Sequence, residues 1–382
     1  MAMRDLNDIR RDINAADTQL RELFLRRMAL ALEVAENKAR SGGKVFQPGR
    51  EAEILQSRAE GLEGGLRRKY VSLLEAVIRK SRECQYAELL SRFPERFPFA
   101  PETAARPVRT VFYQGVEGAY AHQAARALFP GAVHESLPTW DEVFRRVHAG
   151  EADMGVVPVE NSTAGTVNEV YDLMLGYDLF INRSYIQPVV HCLAAPPGAT
   201  LASVSCVCSH PHALPQCDGF IKSHGYCTRT EPNTAVAAEK VAAAGDRSLA
   251  AICSREAAER NGLSVLAEGV NDVGCNETRF IAVSPRLTAL PGDDRVEICF
   301  SLPNQAGSLN SVLSALADYG IDMTEIHSRP IKDSPWCYIF YVDFTGSLLD
   351  DDVRALLYQL HEELPYLKVL GSYRARPTEG AL

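Results

Sequence analysis

The chain has 382 residues, a length that predicts two or three domains. Its formal net charge of −9 argues against a nucleic-acid binder, which needs a basic face. With 46% apolar and 23% charged residues it is no disordered chain, collagen or disulfide scaffold. The opening MAMRDLNDIRRD is charged throughout and lacks the apolar core of a signal peptide. No run of about 18 apolar residues marks a membrane span. The ten Cys contain no C-x-x-C, and Cys192, Cys253 and Cys299 lie in apolar runs as small core residues. Reduced thiols, a cytoplasmic location and no metal or other cofactor are therefore expected.

Residues 5–40 read as one long helix. Leu6, Ile9, Ile13, Ala16, Leu20, Leu23, Leu30 and Val34 alternate three and four apart once Arg27 fills its place, and no Gly or Pro intervenes before Gly42-Gly43. At 1.5 Å per residue such a helix is about 50 Å long, too long for one small domain to surround. Its stripe therefore predicts partner helices from a second copy of the chain. A shorter helix from about Arg50 to Glu60 and another from Leu66 to about Leu90 follow. FPERFPFAPETAAR, with Pro94, Pro98 and Pro101, reads as a linker over 93–107.

From Val108 short strand-like runs alternate with helices: VRTVFY, MGVVPV, FINRSYI, VSCVCS, LAAIC and TRFIAVS. That rhythm predicts an α/β domain over 108–285 with mostly parallel sheet. After the turn-rich LTALPGDD, residues 295–375 read strand, helix, strand, strand, helix, strand, the ferredoxin-like α+β order. The predicted division is helical (1–92), then α/β, then α+β.

The first chemical signal is cationic residues in an apolar seam. Arg27 sits on the stripe, and Lys38, eleven residues on, returns to within about 20° of the same face. On the third helix the stripe Tyr70, Leu73, Val77 turns polar at Ser81 and Gln85. Arg and Lys are rarely buried without an anion, so this pattern suits a bundle pocket for a small carboxylate-rich ligand. A seam ending in solvent, or a polar position that sets register, gives the same pattern. With IRRDINAAD, LRRMALALEVAENK and GREAEIL added, residues 5–90 resemble the all-helical chorismate mutases, which are intertwined homodimers. The resemblance implies that Arg27 and a partner chain's Arg10 clamp the two carboxylates of chorismate. It also implies that Lys38 and Gln85 face the ether oxygen, that Glu51 holds the ring hydroxyl, and that Arg50 and Ser81 complete the pocket. Gln47 stands where these mutases commonly have Asp.

The α/β region carries GVEGAYAHQAA, a G-x-x-G after a predicted strand, where helix amides can take an anion. VPVENSTAGTVNEVYDLM, VVHCLAA, CSHPHALPQCDGFI, NTAVAAEKVA and NETRFIAV follow. Taken singly these are bland; Glu160-Asn161-Ser162 reads equally well as a helix-capping cluster. In this order they resemble prephenate dehydratase, a fold of two α/β lobes similar to periplasmic binding proteins, with its site in the cleft. The Thr-Arg-Phe motif is Thr278, Arg279 and Phe280, and the resemblance implies Thr278 as the essential hydroxyl. Glu160, Asn161, Ser162, Ser209 and Gln216 are the implied pocket groups.

In the last region NQAGSLNSVLSALADYGIDMTEIHSRP resembles the amino-acid-binding ACT domain. Gly307, Ser308, Leu309 and Asn310 match its first effector motif, with Ser308 for the usual Ala and Asn310 for Val. His327, Ser328, Arg329 and Pro330 match the second, with His327 for Glu. The three resemblances together imply a bifunctional chorismate mutase–prephenate dehydratase acting on chorismate and prephenate. They imply further an L-phenylalanine effector and a homodimer or homotetramer without nucleic-acid or membrane partners. A dehydratase whose N-terminal helices only dimerise, and a two-lobed aromatic-acid sensor, are the competing readings.

Overall fold

The computed structural model describes residues 4–305, 307–331 and 337–375. These fall into two compact units, one of residues 1–100 with 296–369 and the other of 101–295 with 370–382. The first unit holds the helical domain and most of the βαββαβ region; the second is the α/β region.

The helical part is three helices: α1 (Leu6–Ser41), α2 (Pro48–Arg58) and α3 (Gly64–Arg92). Gly42, at φ 72°, ends α1 in the left-handed conformation that a residue with a Cβ rarely adopts. Only Ala31 and Ala35 of α1 are buried, where it packs on α3. Its stripe is open: Leu6, Ile13, Leu20, Leu23 and Leu30 are each at least half exposed. One turn of 3₁₀ helix, Pro94–Arg96, interrupts the predicted linker.

The α/β unit contains strands β1 (Thr110–Gln114), β2 (Val133–Leu137), β3 (Met154–Asn161), β4 (Gly165–Thr166) and β5 (Phe180–Pro188). Between them run α4 (Tyr120–Leu128), α5 (Trp140–His148) and α6 (Asn168–Gly176). The second lobe follows: β6 (Cys192–Ala195), β7 (Cys206–Ser209), α7 (Asp218–His224), β8 (Cys227–Thr230), α8 (Thr234–Ala244), β9 (Leu249–Cys253), α9 (Arg255–Arg260) and β10 (Ser264–Glu268). The chain then returns to the first lobe as β11 (Glu277–Ser284). One lobe's sheet runs β5-β11-β3-β1-β2, and the other's runs β10-β6-β9-β7-β8.

The expected mostly parallel sheet is corrected to mixed sheets. β1 is parallel to β2 and β3, but β11 lies antiparallel to both β3 and β5, and β6 antiparallel to β9 and β10. A strand arriving from the other lobe needs no crossover helix, so nothing forces it into the parallel sense. The two lobes are joined at residues 189–191 and 269–276, which are stitched together. Val189 N donates to Asn276 O (2.7 Å), and His191 N donates to Asn271 Oδ1 (2.8 Å).

A second correction concerns the thiols. Cys206 and Cys227 face each other across the parallel β7–β8 pair with Cα atoms 4.4 Å apart, and they form a disulfide. Sequence separation hid them; register brings them together. Cys192, Cys253 and Cys299 are buried, as expected.

The final region is β12 (Arg295–Ser301), α10 (Ser308–Asp318), β13 (Met323–Pro330), β14 (Tyr338–Thr345), α11 (Asp351–Glu363) and β15 (Tyr366–Tyr373). Sheet order β13-β14-β12-β15 is that of a ferredoxin-like fold. Helices α3 and α11 meet along a buried seam that includes an edge-to-face contact between Tyr86 and Tyr358, with ring centroids 5.4 Å apart. Among the described residues no helix is long and apolar enough to cross a membrane.

Candidate active and effector sites

In the helical domain four of the singled-out polar residues converge. Arg27 Nη1 donates to Ser81 Oγ at 2.6 Å, and Lys38 Nζ donates to Gln85 Oε1 at 3.2 Å and to Val45 O at 3.0 Å. The i, i+4 spacing on α3 puts Ser81 and Gln85 on one face, and Gln85 Nε2 donates one of its two protons to Ser81 O (3.0 Å). These side chains line a cavity of about 370 Å³ together with Gln47, Arg50, Glu51 and Arg82. Burial lowers the Lys38 pKa from its usual value, while the nearby Glu51 carboxylate raises it. Gln47 donates to Lys44 O (3.3 Å), and Arg50 donates to Glu53 (3.1 Å). Arg10 is exposed on α1, seventeen residues before Arg27, or about 25 Å along the axis. It does not reach the cavity of its own chain. Arg82 was not singled out in the sequence, because an Arg among the charged residues of α3 carries no periodic signal.

In the α/β unit the Thr278 hydroxyl lies where β11 re-enters the first lobe. Register pairs Thr278 with Asn161 and Arg279 with Glu160 across β11–β3. Asn161 Nδ2 donates to Thr278 Oγ1 (2.9 Å) and to Asn276 Oδ1 (2.8 Å). Asn161 Oδ1 accepts from Thr163 Oγ1 (2.7 Å) and from the amides of Thr163 (3.0 Å) and Ala164 (2.9 Å). The helix-capping alternative for this segment is thus replaced by a strand end held in an Asx turn.

The network continues through Gln216. Its Oε1 accepts from Asn276 Nδ2 (3.0 Å), and its Nε2 donates to Thr163 Oγ1 (2.8 Å). His191 Nε2 lies 3.3 Å from the same Oε1, so the carbonyl selects the tautomer protonated at Nε2. His191 Nδ1 then faces the Tyr120 hydroxyl at 3.1 Å. Burial pushes the His191 pKa down to about 4, with the Gln216 bond pulling the other way. The ring is therefore neutral in the native protein near pH 7. His191, Asn276, Thr163 and Tyr120 were not singled out in the sequence. Only the lobe junction assembles them.

This predicts an acid-side loss of stability. An unfolded chain protonates His191 near its ordinary value, about 6.5, and the native state only near 4. As pH falls through that window the unfolded state gains a proton that the native state refuses, so stability decreases. Between pH 7 and 4.5 the His191 share is about 2–3 kcal/mol. Urea midpoints at those two pH values should fall further in the wild type than in His191→Gln. Equal falls would show that His191 contributes nothing to the slope.

Arg279 donates to the hydroxyls of Tyr171 and Tyr373, each at 3.3 Å, and its Nε lies 3.9 Å from Glu160. Ser162 Oγ accepts from Glu277 N (2.9 Å). Two expected pocket groups are buried in the protein core. Phe280 is 2% exposed in the core beside Val111, Tyr113 and Val156, where it braces the strand. Ser209 is fully buried at the end of β7 and spends its proton on Ile252 O (2.6 Å). The Gly-x-x-Gly loop is also reassigned. Gly118, at φ 83°, lies against α9, where a Cβ would come within 3.2 Å of the Ala257 backbone, and its carbonyl accepts from Ser254 Oγ (3.0 Å). The glycine serves the close approach of two segments.

In the βαββαβ region Gly307 (φ 89°) leads into α10. Gly307, Ser308 and Asn310 line a cavity of about 620 Å³ whose other wall is α2 and α3; Leu309 is half-buried outside it. The second motif lies on β13, where alternation leaves Ser328 and Pro330 exposed and His327 and Arg329 half-buried. The His327 ring stacks on Tyr341, with centroids 4.8 Å apart. Residues 327–330 do not line the cavity at Gly307.

A helical bundle with a cationic pocket, a two-lobed α/β region with a polar network at its junction, and a ferredoxin-like region define a multidomain enzyme with two catalytic domains. The chorismate mutase type II family model matches residues 9–86, the prephenate dehydratase model 111–287 and the ACT domain model 296–362. A bifunctional chorismate mutase/prephenate dehydratase of Neisseria gonorrhoeae is 32% identical over 373 residues, covering 95% of each chain. One of Aquifex aeolicus is 31% identical over 376 residues, covering 97% of this chain and 98% of that one. The crystal structure of a prephenate dehydratase from Arthrobacter aurescens in complex with L-Phe superposes with TM-score 0.64 and 33% identity, over 70% of this chain and 92% of that one. The chain belongs to the bifunctional chorismate mutase/prephenate dehydratase family.

Proposed function

We propose that the bundle cavity rearranges chorismate to prephenate and that the α/β cleft converts prephenate to phenylpyruvate. The convergence of Arg27, Lys38, Ser81 and Gln85 on one cavity carries the first half of this reading. A Claisen rearrangement breaks one C–O bond and makes one C–C bond without acid, base or nucleophile. It needs a compact conformer and a donor where negative charge grows on the ether oxygen. Arg27, with Arg10 of the partner subunit, clamps the carboxylates. Lys38 and Gln85 face the ether oxygen, Glu51 accepts from the ring hydroxyl, and Gln47, Arg50 and Ser81 close the pocket. Since Arg10 lies about 25 Å from its own cavity, the site is completed in a homodimer.

In the second reaction the carboxylate leaves as CO₂, its electron pair aromatises the ring, and the ring hydroxyl leaves with a proton as water. No base is required; a donor to the departing oxygen is. Asn161 donates to Thr278 Oγ1, which leaves the threonine's own proton to point at that oxygen. Glu160, Ser162, Gln216 and Arg279 bind the substrate around it. For the ACT domain we propose L-phenylalanine as effector, held by Gly307–Asn310 and by His327, Ser328, Arg329 and Pro330, in an enzyme of the cytoplasm.

The test is a coupled assay of the purified full-length protein. Chorismate should yield phenylpyruvate without added metal or nucleotide, and L-phenylalanine should slow the second step. Turnover of prephenate but not chorismate would reduce the protein to a dehydratase with dimerising helices.

A further inference from the structure

We propose that Arg82 is a positioning residue of the mutase pocket, fixing the Glu51 carboxylate for its ligand while being held in turn by Glu363 of the ACT helix α11. The inference rests on the reading of the bundle cavity given above.

Arg82 follows Ser81 on α3 and lines the same cavity as Arg27, Lys38 and Gln85. Its Nη1 donates to Glu51 Oε2 at 2.5 Å. On its other edge Nε and Nη2 donate to the two oxygens of Glu363 at 2.7 and 3.3 Å, a fork on a carboxylate. The guanidinium also lies over the Phe46 ring, 5.1 Å from its centroid. Side-chain exposures of 12% for Arg82, 19% for Glu51 and 14% for Glu363 make this a desolvated triad. Burial lowers the Arg82 pKa, but Glu363 and Glu51 outweigh it and leave the guanidinium more firmly charged than usual.

A carboxylate that accepts from a substrate hydroxyl must be held to within a fraction of an ångström. Glu51 sits in the first turn of α2, where no side chain of its own helix holds it. Arg82 takes Oε2 and leaves Oε1 for the ligand. The orientation of Arg82 is set from α11, and α3 is gripped again by α10, where Arg79 and Lys80 pair with Asp318 at 2.8 and 2.7 Å. Glu51, Ile78 and Arg82 also line the larger cavity at Gly307, Ser308 and Asn310. The ACT domain thus supplies the outer support of the mutase site.

Full-length wild type, Arg82→Leu, Arg82→Lys and Glu363→Gln are compared for mutase kcat and KM, mutase pH profile and dehydratase rate. Glu51 is faced by Lys38 from α1 and Arg82 from α3, with Glu363 of α11 behind Arg82 and Arg50 beside it on α2. Removing the Arg82 cation should therefore move the acid limb of mutase kcat/KM to higher pH. Arg82→Leu should lower mutase kcat/KM about 10- to 100-fold, mainly through kcat, with dehydratase turnover within about twofold of wild type. Arg82→Lys should restore part of the rate and of the acid limb, and Glu363→Gln should cost the mutase severalfold. Wild-type mutase kinetics and acid limb in both Arg82→Leu and Glu363→Gln would overturn the proposal, whatever their Tm. If Arg82→Leu loses both activities by failing to fold, the near-isosteric Glu363→Gln decides alone. A wild type without mutase activity, or an Arg27→Ala variant that keeps it, would instead sink the reading of the cavity.

Discussion

Thr278→Val should lower dehydratase kcat/KM by about 10²- to 10³-fold while chorismate turnover stays within about twofold of wild type. Valine keeps the volume and β-branching of this strand position and deletes only the hydroxyl. The fold tolerates the change, because Asn161 Nδ2 retains Asn276 Oδ1 at 2.8 Å and Glu277 O at 3.0 Å. The cost in stability is then that of one hydrogen bond, about 1 kcal/mol. Thr278→Ser, which keeps the donor, should recover most of the rate. A Thr278→Val enzyme that dehydrates prephenate at the wild-type rate would remove the hydroxyl from the chemistry and move attention to Arg279.

Arg27→Ala should have the mirror effect, a loss of about 10²- to 10³-fold in mutase kcat/KM with dehydratase rates unchanged. The guanidinium offers a planar fork to a carboxylate, and the hydrogen bond to Ser81 Oγ at 2.6 Å sets its direction. Lysine at this position keeps the charge without the fork, so Arg27→Lys should remain well below wild type. Separate initial-rate assays on chorismate and prephenate read both effects. Equal loss of the two activities in folded Arg27→Ala protein would contradict two independent sites.

What could be read from the chain follows from how each site is built. Arg27 and Lys38 were legible because both lie on one helix, where a period of 3.6 residues converts spacing into a shared face. Ser81 and Gln85 were legible for the same reason. Arg82 was not: its partners Glu51 and Glu363 are 31 and 281 residues away. The dehydratase network divides similarly. Thr278 and Gln216 sit in local motifs, but His191 and Asn276 join them only where the chain crosses twice between lobes. Short apolar runs marked β1, β3, β5, β7, β9 and β11. They missed β8, whose four residues are all exposed, and β6, whose four are all buried. Phe280 and Ser209 show the converse limit, since a motif position does not reveal which side of a sheet its side chain faces.

The open stripe of α1 has a consequence for the balance between the two reactions. On the proposed reading, in which a second chain supplies Arg10 while the network around Thr278 lies within one chain, rearrangement requires an association that dehydration does not. Protein abundance then acts on the two steps unequally. A scarce enzyme would drain prephenate made elsewhere yet make little of its own, and an abundant one would feed its own second step. On the proposed reading, the exposed Leu6, Ile13, Leu20 and Leu23 set a threshold in subunit concentration below which the helical domain contributes no flux.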